Sequence, residues 1–487
     1  MDKVPVVTVE NEAATQKTPL AVAIGFSVRS LTQALVDSGF SVIAMDAFGD
    51  CETTENSLHT HIFTEWGSPK APWPLQPHLW QRLVRDNQAN SPVRKIPLFW
   101  GGGCENWLAL QDSCCSQREV KALGPDTKQF QQLRSIDVWC RAAEHAGMNF
   151  PKTILGAREV PSVVERPAQS AANHWLRKRQ GSSGGLSVSR EIQNAFEEAV
   201  GDTASSAEFT NGGETDGEEA VGEAVGEAVG DTAAPAGGTN GGWYLQQHIS
   251  GRVLGVTCIV QWPLQASSKA GGPGLDESQM AVQPQIRYLG ATESWQADDW
   301  RGPTEFIYRG SWGPIGLTDS QQKQVIQAAR YLAGLTRVTG WLQFDLIEDH
   351  DGLLWLLEVN PRWTAGMEVL HRSGLVNPAL EHARAWGVLP QQDLSSDSVE
   401  SSCKRIGKAI VYCERDLLLS EDVILRLQSL PRAGYADIPS SRNLGQVVRA
   451  GHPLLTVLAD TTVNTGHEQA RSQLLQKLQA AERALEL

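Results

Sequence analysis

The chain has 487 residues, a hydrophobic fraction of 41% and a formal net charge of −14. That length predicts roughly two to four domains, and the lack of any apolar run of about 18 residues excludes a membrane-spanning helix. Twelve acids and no Lys or Arg lie between Glu191 and Gly242, so the remainder carries only −2, and no basic stripe interleaved with aromatics points to nucleic acid.

Residues 1–18 are polar, lack the apolar core of a secretory signal, and are expected to form a disordered tail. The eight cysteines include no CxxC pair and read as reduced, mostly buried thiols of a cytoplasmic protein. Leu20–Ile24 is an apolar strand. Gly25–Ser30 follows as a loop, then a helix to Gly39 with Leu31, Ala34, Leu35 and Ser38 on one face. Phe40–Met45 is a second strand, ending at Asp46. This β–loop–α–β unit is the pattern of a doubly wound sheet. Gly25 alone falls far short of GxGxxG, so a dinucleotide site is disfavoured. Ile96–Trp100 is another strand and runs into Gly101-Gly-Gly-Cys-Glu-Asn106. Ligands of open α/β sheets bind beyond the carboxyl ends of strands, which makes Arg29, Glu105 and Asn106 candidate substrate contacts. Plain turn chemistry is the competing explanation. His59 and His61 share a strand face without a third ligand and read as structural.

Gly124-Pro-Asp-Thr127 signals a helix start. The helix that follows carries Phe130, Leu133, Ile136, Cys140 and Ala143 inward and ends near Gly147. Trp175–Val188 reads as strand, flexible loop, strand. Its Ser182, Ser183, Gly184 and Gly185 offer backbone N–H and hydroxyl donors to a phosphate, and Lys178 just upstream places an ammonium within reach. No GxxxxGK[ST] is present, so this is not a Walker A loop. From 191 to 242 the chain is acidic and Gly-rich, and EAVGDTA at Glu198 recurs at Glu227. This duplicated insert is expected to be disordered. Order resumes at Trp243. Gln285–Thr292 is a strand leading toward Tyr308-Arg309, where Arg309 is either a contact for an acyl phosphate or a surface residue. A helix over Asp319–Gly340 turns Val325, Ile326, Ala329, Leu332 and Ala333 inward.

Trp341 to Arg362 reads as a β-hairpin. Two apolar runs, Trp341–Ile347 and Leu353–Val359, flank a polar turn ending in Gly352. Side chains alternate along strands, so Glu358 and Asn360 share a face. A turn centred on His350 and Asp351 would set Asp345 opposite Leu356 and bring it to that same face. Three oxygen ligands then converge, as suits a hard cation held partly by protein and partly by phosphates. An amphipathic hairpin with its acids facing water is the plainer alternative. Beyond it, Met367–Gly374 and Pro378–Trp386 are helices. Short strands at Gly407–Tyr412, Ala436–Pro439, Val447–Ala450 and Leu454–Ala459 precede an amphipathic helix around Leu474–Leu485.

The run Glu358-Val-Asn-Pro-Arg362, with Asp345 on the partner strand, resembles the metal-binding end of the ATP-grasp superfamily. Lys178 with its small-residue loop resembles the phosphate lid of that superfamily, and Gln246–Gly251 resembles its adenine hinge. The order of elements is similar to a predicted ATP-dependent carboligase family related to biotin carboxylase. The implied fold class is a multidomain α/β and α+β ATP-grasp fold. A doubly wound pre-ATP-grasp domain spans 19–122, the ATP-grasp domain 123–390 with the insert at 191–242, and a small β-rich domain with a terminal helix 391–487.

The resemblance implies ATP and Mg²⁺ (or Mn²⁺), with the metal on Asp345, Glu358 and Asn360. Phosphates would lie against Lys178, Ser182, Ser183, Gly184 and Gly185, and adenine against Gln246, Gln247 and Ile249. Lys178 and Arg362 would be catalytic. The implied reaction activates a small-molecule carboxylate as an acyl phosphate for a nucleophilic co-substrate, and related folds are commonly homodimers. Two alternatives stand beside it: a bicarbonate-activating carboxylase, and a non-catalytic ATP-binding regulatory protein. The second is raised by the hinge glutamines and by Asp137-Val138, where many relatives carry a phosphate-binding Lys.

Overall fold

The computed structural model describes residues 18–62, 95–103, 120–155, 175–179, 188–191, 243–263, 282–390, 403–462 and 466–485. The chain opens with a parallel sheet. β1 (Leu20–Ile24), β2 (Ser41–Asp46), β3 (His59–Ile62), β4 (Ile96–Trp100) and β5 (Val120–Leu123) lie in the order β3-β2-β1-β4-β5. Every residue of β1 and β4 is buried, as expected of strands covered on both faces. α1 (Arg29–Asp37) crosses from β1 to β2, and α2 (Cys51–Asn56) starts at Asp50, whose carboxylate accepts from the Thr53 N–H. Gly25 has a specific purpose. A Cβ there would meet the Gly101 Cα at 2.9 Å, so the loops leaving β1 and β4 cross only because both residues are glycine. Asp46 is fully buried and accepts from the N–H groups of Val28, Phe48 and Gly49, which ties the β1 and β2 exits together.

The helix expected after Gly124 is two helices. α3 (Thr127–Leu133) begins with a capping box between Asp126 and Gln129, and α4 (Ile136–Ala146) ends on Gly147 in the left-handed region. Arg134 and Ser135 break the run and shift the phase of the second helix. Val138, Trp139 and Ala142 therefore face inward, while Cys140, expected inside, is exposed. Next comes a four-stranded antiparallel sheet in the order β6-β9-β7-β8. It consists of β6 (Thr153–Leu155), β7 (Trp175–Arg179), β8 (Val188–Glu191) and β9 (Trp243–Gln247). The phosphate-loop residues Ser182–Gly185 and the acidic repeat beyond Glu191 lie outside the described residues.

The largest sheet has eight antiparallel strands in the order β14-β13-β10-β11-β12-β15-β19-β17. β10 (Arg252–Gln261), β11 (Gln285–Ser294) and β12 (Gly310–Ile315) lead to α5 (Asp319–Thr336), which opens on a Thr318/Gln321 capping box. β13 (Gly340–Glu348) and β14 (Leu354–Asn360) form the expected hairpin at one edge. α6 (Ala365–Arg372) and α7 (Pro378–Ala385) follow, then β15 (Arg405–Tyr412), β16 (Leu417–Leu418), α8 (Glu421–Gln428), β17 (Tyr435–Ala436), β18 (Val447–Val448) and β19 (Pro453–Thr461). The C-terminal strands extend the same sheet as the hairpin, because β12 pairs with β15 from Gly310–Ala409 to Gly313–Ile406. α9 (His467–Leu485) buries Leu474, Leu478, Ala481 and Leu485 against it. One continuous apolar core joins α4, α5, both hairpin strands and α9.

Candidate active site

The hairpin reaches its geometry by a route different from the expected one. Glu348, Ile347 and Leu346 pair with Leu354, Trp355 and Leu356; the register then slips, and Asp345 pairs with Glu358. Leu357 is the extra residue of a β-bulge, a device that re-aims side chains. Without the bulge Asp345 would oppose Leu357, and Glu358 would point to the other face. With it, Phe344 and Val359 stay in the core while Asp345, Glu358 and Asn360 converge. Asn360 Nδ2 donates to Asp345 Oδ2 at 3.0 Å and to Glu358 Oε1 at 2.9 Å.

Two recessed carboxylates this close cannot both remain charged at ordinary cost. Burial and then the Glu358 charge hold Asp345 well above the usual aspartate range. Burial also opposes charge on Glu358, but hydrogen bonds from Asp345 and Asn360, with Arg134 and Lys178 nearby, outweigh it and hold Glu358 low. The two acids thus resist carrying charge side by side, and a divalent cation between them would relieve that repulsion. Among the described residues no trio of His, Cys, Asp or Glu gathers. Two carboxylates and an amide suit a hard cation that takes its remaining ligands from phosphate oxygens.

Lys178 of β7 faces this set from the four-stranded sheet. Burial lowers its affinity for a proton, and the charges of Glu358 and Asp345 act on it in the opposite direction. Its Nζ donates to Gln246 Oε1 at 2.7 Å. Gln246 is therefore committed to Lys178 and, through Nε2, to Thr153 Oγ1 at 3.2 Å. The Gln247 N–H donates to the Lys152 carbonyl, and Ile249 sits half-buried in the short link to β10. Tyr244, cross-strand from Lys178, has its phenol pushed up by burial and by Glu358.

Arg362 follows the hairpin and bears on Asp345. Its Nη1 lies 3.3 Å from where a Gly102 Cβ would be, so the turn after β4 borders it, and the Trp363 N–H donates to the Trp100 carbonyl. Thr364 caps α6 without a side-chain cap bond, and its buried Oγ1 has no partner among the described residues. Glu105 and Asn106 lie outside the described residues.

Two expected substrate contacts are engaged elsewhere. Arg29 is 3% exposed and ion-paired to Glu368 at 2.7 Å and to Asp437 at 2.6 Å, so it holds α1, α6 and the turn after β17 together. Arg309 donates to the carbonyls of Thr304, Glu305 and Ile307, and so braces its own loop. The phenol of its neighbour Tyr308 is pushed up by burial. Glu368 and Asp345 both act on the phenol, which burial keeps neutral, and its hydroxyl lies 2.8 Å from Ser311 Oγ. Beyond the local Glu368–Arg372 pair, Glu368 and Lys408 carried no local signal, since Arg29 and Lys408 lie 339 and 40 residues from Glu368.

No family model matches the sequence. A stretch of 47 residues is 40% identical to D-alanine–D-alanine ligase B of Pseudomonas syringae pv. tomato, covering 10% of this chain and only 15% of that one. Solved structures match over nearly the whole length. Biotin carboxylase from Campylobacter jejuni superposes with a TM-score of 0.59 at 11% identity, covering 97% of this chain and 95% of that one. The L-amino acid ligase of Bacillus licheniformis gives 0.55 at 13% identity, covering 95% and 98%. An ADP complex of N5-carboxyaminoimidazole synthetase from Staphylococcus aureus gives 0.53 at 10%, covering 95% and 96%.

The chain has the ATP-grasp fold. In this fold Lys178 on the four-stranded sheet feels the charges of Glu358 and Asp345 on the hairpin end of the eight-stranded sheet. No helix among the described residues is long and apolar enough to cross a membrane.

Proposed function

We propose that the protein is an ATP- and magnesium-dependent ligase that activates a substrate carboxylate as an acyl phosphate for attack by an amine or similar nucleophile. The observation that carries this reading is the convergence of Asp345, Glu358 and Asn360 opposite Lys178. Two recessed carboxylates bridged by one amide mark a place built for positive charge, and an ATP-grasp fold supplies the setting. The structural likeness to an L-amino acid ligase and the 47-residue sequence match to the Pseudomonas ligase support the reaction class.

The residues divide the work. Asp345, Glu358 and Asn360 would hold magnesium, which when bound supplies charge neutralisation for the transferring phosphoryl group. Lys178 would orient the phosphate chain from the opposite sheet, together with the loop that begins after Arg179. Arg362 would face the incoming carboxylate, and Tyr308 would offer it a neutral hydroxyl. Catalysis of this kind rests on positioning and electrostatic stabilisation, and closure over the cleft would shield the acyl phosphate from water. Likeness to biotin carboxylase, including a MgADP–bicarbonate complex of a 2-oxoglutarate carboxylase domain, favours bicarbonate activation as the second reading.

The test is ADP release from Mg·ATP against panels of carboxylic acids and amines, alone and paired, with bicarbonate as a separate arm. Turnover that needs an acid plus an amine and disappears in Glu358→Ala establishes the ligase. Turnover that needs bicarbonate and one acceptor establishes the carboxylase. Tight nucleotide binding without turnover in any arm refutes both and leaves a regulatory ATP-binding protein.

A further inference from the structure

The four-stranded sheet contains a run of side-chain hydrogen bonds whose direction is settled at every link. Strand register sets Gln246 opposite Thr153 on one side and opposite Leu176, two residues before Lys178, on the other. Lys178 Nζ donates to Gln246 Oε1 at 2.7 Å, Gln246 Nε2 lies 3.2 Å from Thr153 Oγ1, and Thr153 Oγ1 donates to the Pro151 carbonyl at 2.9 Å. An ammonium can only donate. The Gln246 oxygen must therefore accept, which turns its NH₂ toward Thr153. The hydroxyl accepts there and spends its single proton on Pro151. Gln246 is 2% exposed, so water offers the amide no easy alternative.

The neutrality of Gln246 matters as much as its shape. A carboxylate at the same place would also bond Lys178, but it would cancel the charge that a phosphate needs to meet. It would also lack a proton to give Thr153, so the hydroxyl would have to abandon Pro151. An amide meets both requirements: it fixes the ammonium and leaves its charge available.

We propose that Gln246 is a positioning residue which, braced by Thr153 and Pro151, aims the Lys178 ammonium at the phosphate chain of a bound nucleotide without neutralising it. The proposal rests on the ATP-binding reading above, and it gives Gln246 a different task from the adenine contact that its hinge position implies.

Calorimetric titration of the full chain with Mg·ATP, Mg·ADP and adenosine tests it, because adenosine has no phosphate for Lys178 to reach. Gln246→Ala is expected to weaken Mg·ATP and Mg·ADP about tenfold, the worth of one hydrogen bond to a charged group, and to leave adenosine affinity unchanged. Gln246→Glu, of nearly the same size, is expected to weaken Mg·ATP as well. Thr153→Val is expected to shift binding in the same direction, and Thr153→Ser to restore it, which keeps the test informative if a Gln246 variant folds poorly. Equal losses for adenosine and ATP in Gln246→Ala would overturn the proposal in favour of adenine contact. Wild-type affinity for Mg·ATP in Gln246→Glu would overturn it too. Failure of the wild-type chain itself to bind Mg·ATP would instead sink the ATP reading, a result distinct from any variant's behaviour.

Discussion

Glu368→Ala is the substitution whose cost can be worked most directly from the structure. The Glu368 carboxylate is 1% exposed and accepts from Arg29 Nη2 at 2.8 Å, Arg372 Nε at 2.8 Å and Lys408 Nζ at 2.6 Å. The three cations are not equally dependent on it. Arg372 is 32% exposed and can turn to water, so its share is under about 1 kcal/mol. Arg29 keeps Asp437, but Lys408 is 8% exposed and is left buried with its charge uncompensated. Two buried charge-assisted bonds at about 1.5–3 kcal/mol each, and the stranded ammonium, lead to an expected loss of about 3–5 kcal/mol. Urea unfolding followed by tryptophan fluorescence at neutral pH measures it. The acid limb gives a second readout. The cations hold Glu368 well below its ordinary range against the opposing effect of burial. Its stabilisation is therefore present above the unfolded value of about 4.3 and is lost only as pH falls through the depressed folded value. The variant should lose that part of the acid dependence. A loss smaller than about 1 kcal/mol, in the range of an exposed ion pair, would refute the reasoning.

Asp345→Asn removes the charge that burial and Glu358 disfavour on that carboxyl. An acid whose folded pKa is raised makes stability fall as pH rises from its unfolded value through its folded one. The variant should therefore raise the melting temperature of the metal-free chain at pH 8 and abolish the further rise caused by Mg·ADP; thermal scans with and without Mg·ADP decide, and a lowered metal-free melting temperature would contradict the account of two mutually repelling carboxylates. Gly310 has φ near 129°, and a Cβ there would sit 2.1 Å from the Lys408 carbonyl oxygen. Gly310→Ala should cost roughly 2–4 kcal/mol by prising β12 from β15, seen as faster amide exchange along Arg405–Tyr412.

Much of the site could be read from local spacing. Glu358 and Asn360 are two residues apart on one strand, and alternation alone puts them on one face. Asp345 joined them for a reason that spacing does not contain: a bulge at Leu357, stabilised by packing of Phe344 and Val359 into the core. The expected pairing with Leu356 led to the correct face through the wrong register. Arg29 and Arg309 illustrate the opposite failure. Both follow strands or loops where a guanidinium could meet substrate, yet Arg29, at the start of α1, is claimed by carboxylates 339 and 408 residues away, and Arg309 by carbonyls of its own loop. Hydrogen-bond partners at such separations leave no trace in a local window.

The sequence by itself determined the element types, the hairpin and its acids, the lysine on its own strand and the acidic repeat, because apolar period and turn composition are local physics. The tertiary structure alone decided the register that pairs Asp345 with Glu358, the capture of Arg309 by its own loop, and the engagement of Gln246 with Lys178. It also decided that the C-terminal strands extend the hairpin's own sheet. Each of these depends on which distant backbone supplies the facing surface, and that is settled only when the whole core packs.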